Sequence, residues 1–303
     1  MPDSPLADSP FAVLGVAPDA SEAELRRAYR RRLREAHPDT GGSPAEFHAV
    51  QRAWELVGTP EGRAAARRSA EARAADADAE ARSWAPRPAP RADSRPRART
   101  HGHPGGQARE RYLRLIREWA GRGVDLADPY EPSLVRGAPT EIRRLLAEAL
   151  AEEATARALA ELGIGYSVWH DVAAEPVKID HLVLGPGGLL AIRSEDFGAP
   201  VAVRRGEVEG DGVEGVPLHE LATAGRRLAR SVRVPLAGAI LVVPDGQLGA
   251  STLEAGRWRG VPLLVAERPV LVHLIRGGVG AGALGGTDIF EARSRLQRAV
   301  RHV

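Results

Sequence analysis

Lys178 is the sole lysine among 42 lysines and arginines, so any mechanism that needs a lysine has one candidate in this chain. It lies two residues before Asp180 in the run Val177 to Leu184, whose composition predicts a β-strand. Strand alternation then puts Lys178, Asp180 and Leu182 on one side. The next predicted strand, Leu189 to Arg193, puts Ala191, Arg193 and Glu195 on one side, so Asp180 can meet the side chains at 193 and 195. Carboxylates converging from adjacent strand ends can hold Mg²⁺, which polarises a phosphate and activates water, and a lysine beside them can stabilise charge or help deprotonate that water. Arg193 works against such a site, because its own charge opposes a second cation.

A second set of residues, His37-Pro38-Asp39, follows a basic amphipathic helix. Ser21 and Glu24 form a capping box that predicts the helix start. Leu25, Ala28, Tyr29, Leu33 and Ala36 recur at three- and four-residue spacing, while Arg26, Arg27, Arg30, Arg31 and Arg34 take the other faces. The Pro38 ring disfavours helical geometry at His37, so the helix ends near Ala36 and displays His37 and Asp39 on a surface loop beside positive charge. An acidic docking groove would be steered to that surface. After Gly41-Gly42, Ser43 can cap and Pro44 can open a second helix with Phe47, Val50, Trp54 and Val57 on one face. The pair should form an antiparallel hairpin.

The elements that must position these residues fall into distinct stretches. At roughly 150 residues per domain, 303 residues suggest two domains. Residues 69–106 are rich in Ala, Arg, Pro and Gly and cannot bury enough apolar surface to fold, which predicts a disordered linker. From Arg82 to Arg99 it carries six arginines against one acid, Asp93, and reads either as a solvated spacer or as a nucleic-acid tether. Predicted helices at 107–120 and 139–162 precede strands at Tyr166 to Val172, Val177 to Leu184, Leu189 to Arg193 and Val201 to Val208. A helix near Leu218 to Ser231 and a strand at Ala239 to Val243 follow, giving an α/β domain with a mixed sheet. Asp128-Pro129-Tyr130-Glu131-Pro132 reads as linker or as a brace across that domain.

Other signals narrow the function classes. There is no cysteine, which removes disulfides, thiolate zinc sites and cysteine nucleophiles and accords with a reducing cytoplasm, the expected location. No signal peptide or membrane span is expected. A net charge of +2 argues against nonspecific coating of nucleic acid. Gly-x-Ser-x-Gly, His-Glu-x-x-His and phosphate-loop motifs are absent from the sequence. Gly280 to Gly285 fits G-x-G-x-x-G but lacks room for the second strand of a dinucleotide fold, so it reads as a surface loop. His101-Gly102-His103 reads as solvent-exposed, and His181, alternating away from Asp180, as a core residue or a backbone hydrogen-bonding one. Trp169 and Trp258 read as packing residues.

Residues 9–63 resemble a DnaJ-type J domain, from Phe11-Ala12-Val13-Leu14-Gly15-Val16 through Ser21 to Ala36, His37-Pro38-Asp39 and Phe47 to Leu56. The resemblance implies contact with a DnaK-type chaperone and stimulation of its ATP hydrolysis, through Arg26, Tyr29, Arg30 and Arg31 on the helix and His37, Pro38 and Asp39 in the loop. Trp54 stands where the family usually has Tyr, and the fourth helix is reduced to Glu61-Gly62-Arg63-Ala64. Zinc-binding cysteine repeats and a Gly/Phe segment do not follow, so the pattern is not that of a full-length DnaJ.

Residues from about 141 to 245 resemble a NERD, or nuclease-related, domain, akin to the PD-(D/E)xK endonucleases. The matching stretches are Ala151-Glu152-Glu153 to Leu162, Val168-Trp169-His170-Asp171-Val172, and Ile179-Asp180-His181-Leu182-Val183-Leu184-Gly185-Pro186-Gly187-Gly188-Leu189. The family's acid-x-lysine becomes Arg193-Ser194-Glu195, leaving Glu152 and Asp180 as retained acids and an Arg193 ion pair to Glu195 or Asp180 as an option. Loss of nuclease activity is the expectation. In the alternative, Lys178 replaces the missing lysine and Glu195 supplies the second carboxylate, with Mg²⁺ as the cofactor and Arg193 pointing away.

The expected organisation is a J domain at 9–68, the linker at 69–106, a helical connector at 107–140, a restriction-endonuclease-like α/β domain at 141–276, and a Gly-rich loop with a C-terminal helix at 277–303. The expected function is that of a co-chaperone and not an enzyme, without a cofactor, whose C-terminal domain selects where the chaperone acts. Its partners would be a DnaK-type chaperone and, through the linker and C-terminal domain, nucleic acid, with no membrane. A Mg²⁺-dependent nuclease or a nucleic-acid-binding protein is the alternative.

Overall fold

The computed structural model describes residues 9–37, 44–68, 97–121, 126–279, 284 and 286–303. Pro38, Asp39, residues 41–43, most of the expected linker (69–96), and residues 280–283 and 285 of the expected Gly-rich loop lie outside the described residues. Two compact units result, one from 9 to 68 and one from 97 to 303.

The first unit is helical: α1 (Pro10–Leu14), α2 (Glu22–Glu35), α3 (Pro44–Val57) and α4 (residues 60–68). The Ser21 and Glu24 capping box is formed, with the Ser21 N–H donating to Glu24 Oε2 at 2.8 Å and the Glu24 N–H donating to Ser21 Oγ at 3.4 Å. Glu22 and Glu24 in the first turn and Arg32 and Arg34 in the last complement the helix dipole. Phe11, Leu14, Leu25, Val50, Ala53 and Val57 form the core. Trp54, in place of the expected Tyr, stacks on Tyr29 with ring centroids 4.6 Å apart, and His37 meets Phe47 edge-on at 5.2 Å. The fourth helix is longer than the four residues expected. Its arginines explain why it stays: Arg67 Nε donates to the Pro18 carbonyl at 2.6 Å, and Arg63 pairs with Glu22 at 3.1 Å, anchoring α4 to the α1–α2 segment.

The second unit is α/β. Its elements are β1 (Arg99–His101), α5 (Gly106–Ala120), α6 (Pro132–Gly137), α7 (Thr140–Leu159), β2 (Ser167–Val172), β3 (Ile179–Gly185), β4 (Gly188–Ser194), β5 (Val201–Arg204) and β6 (Glu207–Gly210). Then come α8 (Pro217–Val232), β7 (Leu236–Val243), β8 (Thr252–Trp258), β9 (Val261–Glu267), α9 (Leu271–Gly277) and α10 (Gly286–Ala299). Seven strands make one mixed sheet in the order β1-β2-β3-β4-β7-β9-β8, with β4, β7 and β9 parallel and β2, β3 and β4 antiparallel to one another in turn. Alternate residues of the central strands face opposite layers. Leu182, Leu184, Ala191 and Leu241 pack with Leu218 and Leu221 of α8 and Leu296 of α10, while Val183, Leu190, Ile192 and Val242 pack with Leu159, Leu271 and Ile275. Both faces are covered, which is why these strands read as nearly continuous apolar runs.

Three expectations need correction. Residues 97–106 are not linker: β1 pairs in parallel with β2, and α5 begins at Gly106. Edge pairing satisfies backbone groups and needs no large side chains, so an Arg-rich composition concealed it. His101 accordingly stacks on Trp169, centroids 5.5 Å apart, instead of lying open to solvent. Val201 to Val208 is not one strand but the first arm and part of the second arm of the β5–β6 hairpin, turned at Arg205 (φ 51°) and Gly206 (φ 83°). Two successive positive φ values are what a two-residue hairpin loop of matching twist requires. Residues 128–132 pack on α5. Tyr130 stacks on Tyr112 at 5.7 Å, Arg109 lies 5.2 Å over the Tyr130 ring, and the Tyr112 hydroxyl donates to the Pro129 carbonyl. Among the described residues no helix is long and apolar enough to cross a membrane.

Candidate functional site

In the helical unit, α2 presents Arg26, Arg30 and Arg31 as exposed side chains, along with Arg27 and Arg34. Arg26 pairs with Glu22 at 2.5 Å and Arg31 with Glu35 at 3.9 Å, surface pairs that hold the side chains loosely and leave the face basic. Tyr29 is half-buried by its stacking on Trp54, so it joins this surface to the core. His37 is also half-buried, at the end of the described stretch, and Pro38 and Asp39 lie outside it.

In the α/β unit the acids and the lysine come together where β3 begins and β4 ends. Lys178 Nζ lies 2.5 Å from Glu152 Oε1 on α7, 2.9 Å from Asp171 Oδ1 on β2 and 3.2 Å from Asp180 Oδ1 on β3, with Glu148 Oε1 at 4.0 Å. The second oxygen of each close carboxylate is held by a backbone amide. Gly105 N–H donates to Glu152 Oε2 at 3.0 Å, Gly106 N–H to Asp171 Oδ2 at 3.2 Å, and Ser194 N–H to Asp180 Oδ2 at 2.7 Å. Both glycine amides come from the segment joining β1 to α5, the same segment whose composition reads as linker.

Gly105 has little freedom to change. Its φ is +71°, and a Cβ there would sit 2.7 Å from the Ala149 carbonyl oxygen. Gly105→Ala should therefore cost about 2 kcal/mol of stability, read as a shift in the denaturation midpoint, because strain and a displaced amide act together.

Burial sets the electrostatics. It pulls Lys178 toward neutrality, but the charges of Asp180 and Glu152 and the hydrogen bonds to Asp171 and Glu152 outweigh it and hold the ammonium above its ordinary range. Burial, and then the neighbouring Asp180, push the Glu152 carboxyl above its ordinary range, against the pull of Lys178. Glu195 is likewise pushed up by burial, against the pull of Arg193.

Of the residues singled out from sequence, Lys178, Glu152 and Asp180 are brought into one cluster. Glu195 is not part of it: Arg193 takes it at 2.5 Å and also reaches Glu220 on α8 at 3.4 Å. Lys178, Asp180, Arg193 and Glu195 nonetheless line the same cavity, of about 410 Å³. Sequence reasoning missed Asp171 and Glu148. Asp171 lies inside a stretch already notable for its pattern, and Glu148 stands one helical turn before Glu152, but only the folded chain shows that both face Lys178. His181 is buried and bonds to side chains, His170 Nδ1 at 2.8 Å and Ser194 Oγ at 3.1 Å.

Residues 9–66 match the family model of the DnaJ domain, and residues 147–240 match that of the nuclease-related domain, NERD. The chain joins a DnaJ domain to a NERD domain. Over the DnaJ domain it is 42% identical along 65 residues to the chaperone protein DnaJ of Gloeothece citriformis, covering 20% of this chain and 17% of that protein. It is 41% identical along 63 residues to chaperone protein DnaJ 1 of Cutibacterium acnes, 20% of this chain and 16% of that one. The DnaJ protein homolog of Cucumis sativus is 40% identical along 53 residues, 18% of this chain and 13% of that protein. The chain thus spans less than a fifth of the length of these curated relatives, and the likeness is confined to the DnaJ domain. No solved structure matches it. The whole carboxylate cluster lies inside the NERD match.

The NERD relationship raises the question of Mg²⁺, and the residues present do not fit it. The oxygens that could ligate a cation are already donor-matched to Lys178, and Glu195 is committed to Arg193. Among the described residues no group of three or more His, Cys, Asp and Glu side chains is arranged to hold a metal ion.

Proposed function

We propose that this protein is a J-domain co-chaperone whose DnaJ domain binds a DnaK-type chaperone and stimulates its ATP hydrolysis, while its NERD domain does not cleave nucleic acid and directs where the chaperone acts. The DnaJ match over residues 9–66 carries the reading, since it spans the basic helix and the His37-Pro38-Asp39 loop. Support comes from the exposed arginines of α2, which suit an acidic groove and would raise its rate of encounter. In this reading Arg26, Arg30 and Arg31 dock the helix, Tyr29 holds its angle against Trp54, and His37 and Asp39 favour the hydrolysis-competent state of the partner through contacts made only there. The domain performs no chemistry itself.

For the NERD domain, support comes from the Arg193–Glu195 ion pair, which occupies the positions where the family's third motif would place an acid and a lysine, with Arg193 also reaching Glu220. Supercoiled plasmid incubated with the full chain and millimolar Mg²⁺ is expected to remain supercoiled. Nicking that disappears in Asp180→Ala would instead make the protein a nuclease.

A further inference from the structure

His101 Nε2, Ser167 Oγ and Arg293 Nε are buried side-chain atoms with no hydrogen-bond partner among the described residues. Strand register brings them to one layer of the α/β unit. Thr100 lies beside Val168, which packs with Leu159 of α7 and Leu271 of α9, so Arg99 beside Ser167 and His101 beside Trp169 turn to the opposite face. Trp169 packs there with Ala292 and Leu296 of α10, the helix that carries Arg293. Ser167 is wholly buried, Arg293 is half-buried and Arg99 is exposed, so the donors run from the surface inward. Neither arginine makes an ion pair among the described residues, although Arg295 on the same helix takes Glu291 at 2.8 Å. Burial, and then the charge of Arg99, hold the Arg293 guanidinium below its ordinary range, with no acid offsetting them. Burial, helped by His302, lowers His101 as well, so its ring is neutral at neutral pH and can carry its hydrogen on Nε2.

We propose that Arg99, Arg293, Ser167 and His101 form a binding site for a phosphate group at the seam between β1 and α10. All four side chains can donate, and a phosphate supplies the acceptor oxygens that a buried hydroxyl and buried N–H groups otherwise lack. Two guanidiniums with no acid of their own are neutralised by such a group, and their planar forks match its oxygens in pairs. The site is separate from the Lys178 cluster, because Ser167 opens β2 and Asp171 stands four residues on, about 13 Å along a strand. It is also independent of the co-chaperone reading. Free phosphate and the phosphate of a small ester present the same chemistry to these donors.

The test uses the full chain, with thermal unfolding and isothermal titration against inorganic phosphate, and sodium chloride at equal ionic strength as the control. Phosphate is expected to raise the unfolding midpoint of wild type saturably, and chloride is not. Arg293→Gln should weaken phosphate binding by about tenfold or more, the loss of one charge-assisted hydrogen bond. If Arg293→Gln folds poorly, Arg99→Gln, which alters an exposed side chain, carries the same expectation. Ser167→Ala gives a second, opposite readout. It removes an unsatisfied buried hydroxyl, so its midpoint without phosphate should rise, while the increment that phosphate adds should shrink. Thymidine 5′-monophosphate, compared with thymidine, separates the sources: tighter binding of the monophosphate than of phosphate supports an ester as the ligand, and the reverse supports the free anion. A wild type that responds to phosphate no more than to chloride overturns the proposal. So does phosphate binding that survives both arginine substitutions unchanged, and so does a Ser167→Ala midpoint lowered in the absence of phosphate, since the hydroxyl would then already be satisfied.

Discussion

Lys178→Met is expected to destabilise the α/β unit by about 3 to 5 kcal/mol at neutral pH, the usual cost of leaving buried charges without their partner. Met keeps the length and most of the apolar stem, so the loss reports the ammonium and not the packing. Glu152 is fully buried and Asp171 nearly so, and both lose a matched donor. The carboxylates must then repel one another in surroundings that burial keeps from stabilising their charge. Adding Glu152→Gln removes one of the uncompensated charges, so the double variant should recover part of the loss in denaturant unfolding. Costs that simply add would show that the two groups do not interact. A Lys178→Met protein within about 1 kcal/mol of wild type would mean that the cluster is solvated, contrary to its burial.

The second large effect is a loss of stability in mild acid, and it comes from the histidines on β2 and β3. His170 is buried, and burial lowers its pKa from 6.5 to about 4, helped by the charges of His302, His101 and His103 and opposed by Asp171. His181, wholly buried, is also lowered, by burial and by its proximity to His170 and Lys178. Their Nδ1 atoms lie 2.8 Å apart, so one donates and the other accepts, and the bond cannot survive protonation of the acceptor. Both folded values fall below the unfolded one. The stability they contribute is therefore present above pH 6.5 and is lost as pH falls from there through about 4, amounting to about 3 kcal/mol from His170 alone. Denaturant unfolding of wild type and His170→Asn between pH 7 and pH 4.5 checks this. The variant should lose less stability over that interval, and identical losses would assign the acid sensitivity to other groups.

How much of this could be read from sequence depended on how local each signal was. The helical hairpin was legible because its determinants act within a turn or two: Ser21 with Glu24 starts α2, a proline at 38 predicts an end near Ala36, where the helix is capped, and the periodic apolar residues name the buried face. The β3–β4 hairpin was legible because Gly185 to Gly188 marks the turn between two apolar runs. The strands β8 and β9 were not anticipated, nor was α9. In β8 the ladder shifts register between Glu254 and Gly256, and no residue of the strand is fully buried, so it carries little alternation to detect. The three residues of β1 are strand only because β2, far along the chain, offers an edge.

The candidate site divides the same way. Lys178 and Asp180 were found by strand alternation, a local rule, and Glu152 by family pattern. Asp171 joins them only through the pairing of β2 with β3, and its backbone sits at a φ of 49°, a local departure that alternation does not anticipate. The amides of Gly105 and Gly106 were invisible because they contribute no side chain and sit in a stretch whose composition suggested no fold at all. The Arg193–Glu195 pair, by contrast, was legible as one of two options, since residues two apart on a strand share a face.

The central claim is tested most directly by single-turnover ATP hydrolysis on a DnaK-type chaperone from the same host, with the full chain and with its His37→Gln variant. The account predicts that wild type accelerates hydrolysis well above the unstimulated rate, that His37→Gln returns it to that rate, and that the two proteins have the same circular dichroism. Acceleration that survives His37→Gln unchanged, or no acceleration by a folded wild type, would contradict it.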